Sequence, residues 1–120
     1  MVGHPERLSE AALERIHDPS VELLLSAAST WEIAIKAAIG KLDLPGDPSD
    51  VIPGWMVRTG VVGLPVHHRH AAGVFRLPRL HSDPFDRLLI AQAFLEEAPV
   101  LTADPVFEAY GVSVIRGSDG

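Results

Sequence analysis

Glu32, Asp86 and Asp104 are the residues of this chain whose type and placement could do chemistry together. Glu32 and Asp104 fall just past short apolar runs that read as strands, residues 21–26 (VELLLS) and 99–102. Asp86 falls in the first turn of an apolar helix that opens with Asp83-Pro84, an N-cap followed by proline at the first helical position. Ligands of open parallel sheets bind outside the carboxyl ends of the strands. Carboxylates converging there repel one another unless a cation compensates. Oxygen donors without any cysteine suit Mg²⁺ or Mn²⁺, which keep several waters and favour phosphate-bearing substrates. A cation so held would activate water and neutralise charge at a phosphodiester.

Each acid also has an ordinary structural use. Glu32 stands three residues after Ser29, the spacing of a capping box, and one turn before Lys36, a ready ion-pair partner. Asp86 and Asp104 both suit the positive end of a helix. Ser26, Ser29 and Thr102 would place hydroxyls near the acids or simply cap helices and end strands. His67, His68 and His70 lack a fourth ligand nearby and read as surface residues, while Trp31 and Trp55 read as core.

The elements that must position these groups alternate along the chain. A helix begins near Ser9, a buried strand covers 21–26, and a helix covers 29–39 with Gly40 just past its end. A helix over 49–59 ends at Gly60. A strand over 61–66, interrupted by Gly63 and Pro65, belongs near a sheet edge. A short helix over 67–75 and a loop over 76–82 lead into the central helix, whose stripe is Leu88, Leu89, Ala91, Ala93 and Phe94. A strand over 99–102, a short helix opened by Asp104-Pro105 and a last strand over 112–115 complete an α/β pattern with a parallel sheet. The 120 residues form one domain, 1–120, with 47% apolar and 22% charged residues. A net charge of −6 argues against a broad nucleic-acid-binding surface but not against a local basic rim. The lack of cysteine, of a membrane span and of a signal peptide fits a cytoplasmic protein with no membrane partner.

SAASTWEIAIKAAIGKLDLPGDP (26–48), HSDPFDRLLIAQA (81–93) and LTADPVFEAYGV (101–112) resemble the PIN-domain ribonucleases, most closely the VapC toxins of bacterial toxin–antitoxin pairs. The resemblance implies an α/β/α sandwich and a cluster of acids that binds Mg²⁺ or Mn²⁺ and cleaves RNA. Carried over by position, Glu32, Asp86 and Asp104 are the catalytic and metal-binding carboxylates, Asp83 is an auxiliary contact, and Lys36 and Arg87 neighbour the substrate phosphate. The implied partners are an RNA substrate, a VapB-like antitoxin and a second copy of the chain. The family opens with an apolar strand ending in an aspartate at the centre of the sheet. Met1-Val2-Gly3-His4-Pro5 resembles the segment after that strand, so the reading expects a shortened PIN-like domain. It would lack the first (central) strand and the first acid, with a longer parent as the active enzyme. The rival expectation is a degenerate PIN-like module that binds an antitoxin or partner protein without catalysis.

Overall fold

Short apolar segments, each only two or three residues long, pair into a five-stranded parallel sheet in the computed structural model, which describes residues 2–3, 22–80, 82–101 and 114–115. The strands are β1 (Val2–Gly3), β2 (Leu24–Ser26), β3 (Val62–Leu64), β4 (Val100–Leu101) and β5 (Val114–Ile115), in the order β3-β2-β1-β4-β5. Four helices are described: α1 (Ala27–Ala38), α2 (Pro48–Thr59), α3 (His68–Gly73) and α4 (Pro84–Leu95). None of the described helices is long and apolar enough to cross a membrane.

The expected gap at the centre of the sheet is not there. Val2 pairs with Leu24 of β2 and with Val100 of β4, and its N–H donates to Pro99 O at 2.9 Å. Val2 is fully buried. Two residues suffice because both edges of β1 find partners. A segment this short carries no periodicity by which a sequence could announce it. The helix expected from Ser9 and the one expected from Asp104 lie outside the described residues.

Adjacent residues of a strand point to opposite faces. Leu24 packs with Val2, Leu64, Leu89, Ile90, Ala93 and Val100 beneath α4, whereas Leu25 packs with Ile52 and Val61 beneath α2. β3 is an edge strand, as Gly63 and Pro65 suggested. Asp47 caps α2 by accepting from Ser49 N at 2.8 Å, and Gly60 closes it with φ 77°. The stripe of α4 is narrower than the sequence implied, since Leu88 is half-buried and Phe94 is 44% exposed. Its C-terminus is a Schellman turn: Ala98 N donates to Ala93 O at 3.0 Å, with the non-glycine Glu97 at φ 52°.

Candidate functional site

Ser26 ends β2 and opens α1, with φ −66° and ψ 141°. Its hydroxyl oxygen accepts from Ala28 N at 3.1 Å, and its proton goes to Gln92 Oε1 of α4 at 2.5 Å. Five residues further along α1, the Trp31 ring meets Phe85 of α4 edge-on, with centroids 5.1 Å apart. One contact joins the start of α1 to the far end of α4, and the other reverses the pairing. The two helices therefore run antiparallel. Since α4 leads directly into β4, α1 continues outward beyond the carboxyl end of β2 instead of folding back over the sheet.

This register sets the acids level. Glu32 lies six residues beyond Ser26, and Asp86 six residues before Gln92. At 1.5 Å per residue, both advance about 9 Å from the Ser26–Gln92 bond, past the carboxyl edge of the sheet. Asp86 is 7% exposed in the first turn of α4. Asp83 is the N-cap of that helix, its Oδ1 accepting from Phe85 N at 2.8 Å and Asp86 N at 3.2 Å. Asp104 lies outside the described residues, as do His81 and Thr102. Among the described residues, no three His, Asp or Glu side chains stand close enough to share a cation.

The capping box expected at Ser29 is replaced by a cap at Ser26, which makes Ser29 the third helical residue. Ser26 wins because its backbone is still extended where the strand ends, the conformation an N-cap requires. Ser29 and Glu32 are thereby left on one helix face, one turn apart. Ser29 is 1% exposed, and among the described residues its Oγ has no hydrogen-bond partner. Glu32 Oε2 pairs with Lys36 Nζ at 3.2 Å, while Oε1 is buried and, among the described residues, equally without a partner. A buried polar atom left in this state costs about 1–3 kcal/mol, so two orphan oxygens one helical turn apart point to something that completes them. Oxygen donors around a carboxylate with one buried, unpaired oxygen fit a hard divalent cation.

Lys36 is thus an ion-pair partner of Glu32. The Arg87 guanidinium donates to Pro78 O at 3.0 Å and Val74 O at 3.3 Å, holding the loop before α4 against the helix. Beside it, Arg79, Leu80, Ser82 and Arg87 line a cleft of about 570 Å³.

Three residues escaped the sequence reading. Gln92, fully buried in α4, also donates from Nε2 to Pro65 O at 3.2 Å and lies 3.4 Å from His70 Nδ1. His70, expected at the surface, is fully buried in α3. Its Nδ1 accepts from His67 N at 3.0 Å, which leaves the proton of the neutral ring on Nε2 to be donated to Glu96 Oε2 at 2.8 Å. Arg69 pairs with the same carboxylate. The His70 hydrogen bond, and after it Arg69, holds the Glu96 carboxyl below its ordinary value against the opposing effect of partial burial. A lone amide inside the apolar run LLIAQA was the available signal for Gln92. Trp31, expected in the core, is 61% exposed.

Comparison with known proteins agrees with this architecture. Over 72 residues the chain is 40% identical to "Ribonuclease VapC16" of Mycobacterium tuberculosis; the match covers 58% of this chain and about half (51%) of that protein. The structure is similar to FitAcB from Neisseria gonorrhoeae, with TM-score 0.68, 20% identity, and 97% of this chain and 96% of the other covered. It is also similar to a toxin-antitoxin complex from Klebsiella pneumoniae, with TM-score 0.68, 11% identity and 98% of each chain covered. Residues 2–112 match the PIN domain family, well over half of the chain, and the protein belongs to that family.

Proposed function

We propose that the chain is a metal-dependent endoribonuclease of the VapC toxin type, in which Glu32, Asp86 and Asp104 hold Mg²⁺ or Mn²⁺. The observation that carries this reading is the half-satisfied Glu32 carboxylate, whose Oε1 is buried, set level with the buried Asp86 beyond the carboxyl edge of the sheet. The identity with a ribonuclease over more than half of the chain supports it. The cation supplies Lewis acidity and an activated water at the scissile phosphodiester. Glu32 provides a fixed anionic oxygen, and Asp86 is steadied by the positive end of α4. Asp83 holds that helix end in place through its two N–H acceptances and takes an auxiliary role. Lys36 is the counter-charge of Glu32 when the cation is away, and Arg87 shapes the basic cleft beside the site.

The reading includes an antitoxin partner and a homodimer. Trp31 and Ile35 of α1 and Ile39 at its C-cap form an exposed stripe at 61%, 38% and 60%, an apolar face a partner helix would cover. The similarity in fold to a toxin-antitoxin complex supports such a partner.

The test is cleavage of a diverse RNA pool with Mn²⁺, Mg²⁺ or chelator, using wild type, Glu32→Gln and Asp86→Asn. Cleavage that needs the cation and falls at least about 100-fold in both variants is expected. Cleavage that survives chelator or both substitutions would overturn the reading, as would a Mn²⁺-bound protein that leaves every RNA intact.

A further inference from the structure

Ser29 neither caps α1 nor pairs with Glu32, although its burial is almost complete. A serine inside a helix commonly returns its proton to a carbonyl one turn back. Ser29 does not, and among the described residues nothing else meets its Oγ. Its helical neighbour on the same face is Glu32, whose Oε1 is the other orphan. Among the described residues neither buried oxygen has a partner, and the pair sits on α1 where it runs antiparallel to α4 toward Asp86.

We propose that Ser29 is a positioning residue of the cation site, its Oγ accepting a hydrogen bond from a water carried by the hydrated divalent cation. The proposal rests on the metal-site reading above. Mg²⁺ and Mn²⁺ sites retain several waters, and waters on a divalent cation are strong donors that need acceptors of fixed position. A fourth carboxylate at this point would add repulsion to a site already built of acids. A hydroxyl accepts without adding charge. The helix fixes the spacing between the two orphans, so the water taken by Ser29 and the oxygen offered by Glu32 are set by one rigid element.

A hydroxyl kept for a ligand and one kept for the fold respond oppositely to removal. Ser29→Ala deletes an unsatisfied buried oxygen and puts a better helix former in its place, so the cation-free protein should not lose stability. Mn²⁺ binding should weaken.

The experiment is Mn²⁺ titration of the full chain by electron paramagnetic resonance, for wild type, Ser29→Ala and Glu32→Gln, with cation-free melting temperatures of all three. The expected result is a loss of affinity of about tenfold in Ser29→Ala, typical of an outer-shell contact, and loss of the site in Glu32→Gln. The melting temperature of Ser29→Ala without cation should be equal to or a few degrees above wild type. Ser29→Ala binding Mn²⁺ within about twofold of wild type would overturn the proposal while leaving the metal site standing, since the effect falls below that of a typical outer-shell contact. A cation-free Ser29→Ala that melts well below wild type or does not fold would also overturn it, because the hydroxyl would then serve the fold. Binding unchanged in Glu32→Gln, or absent from wild type, would remove the metal-site reading and the proposal with it.

Discussion

Gln92 sets the register of the two helices that bear Glu32 and Asp86, and its contribution can be measured without reference to any activity. Gln92→Leu removes the amide while keeping the helix apolar and the volume similar. The Ser26 proton loses its acceptor at 2.5 Å, and Pro65 O loses its donor at 3.2 Å. Each hydrogen bond contributes about 0.5–1.5 kcal/mol net, and a buried hydroxyl left without an acceptor adds about 1–3 kcal/mol. Pro65 is exposed, so water can replace its donor; the penalty concentrates on Ser26, which is fully buried. The expected loss is about 2–4 kcal/mol, which for a domain of this size lowers the melting temperature by about 10 °C. Ser26→Ala loses the same bond and the N-cap together, about 1–3.5 kcal/mol. Because each single substitution breaks the shared bond, the double variant should be less destabilised than the sum of the two by at least about 1 kcal/mol. Urea unfolding followed by circular dichroism would measure the cycle. Additivity within about 0.5 kcal/mol would refute the bond as the element that sets the register.

Glu96 makes stability depend on acid. Its folded carboxyl titrates below the ordinary 4.5 because His70 and Arg69 hold the anion, so its contribution is complete above that value and is lost as pH falls through the lowered one. Melting temperature followed from neutral pH downward should decline more steeply in wild type than in Glu96→Gln, and identical slopes would contradict the pairing. At the C-terminus of α4, Glu97 occupies a left-handed conformation at φ 52° that glycine adopts without cost. Glu97→Gly should therefore stabilise the protein by up to about 1 kcal/mol in denaturant unfolding. The reverse holds at Gly60, where φ is 77° and a Cβ would meet nothing within 4 Å. Gly60→Ala should cost about 1 kcal/mol from backbone strain alone.

Local chemistry was the legible part of the chain. Asp83-Pro84 announced the start of α4, Gly40 and Gly60 announced helix ends, and Gly63 with Pro65 announced an edge strand. Each is a steric or hydrogen-bonding rule that acts within a few residues. What escaped depends on partners far away in sequence. Ser26 and Ser29 compete for the same cap, and only the end of strand pairing decides between them. His70 looked exposed among neighbouring histidines until Glu96, 26 residues later, enclosed it. Trp31 was expected in the core, yet α1 extends past the sheet edge and leaves that face uncovered. Glu32 and Asp86 were legible as acids, but the antiparallel register that sets them level was not.

The contacts that create this register also fix when it can exist during synthesis. Ser26 and Gln92 are 66 residues apart, and β1 has no neighbour on its second side until Val100 and Leu101 arrive. Neither contact can form while α4 and β4 remain inside the ribosome. A partly made chain therefore exposes Glu32 on an unanchored helix, without Asp86 set level with it. If the protein cuts RNA, the nascent chain is inert toward the messenger and the ribosomal RNA that surround it. The interval between release and full assembly is also one in which a partner that covers α1 could bind before the site is complete.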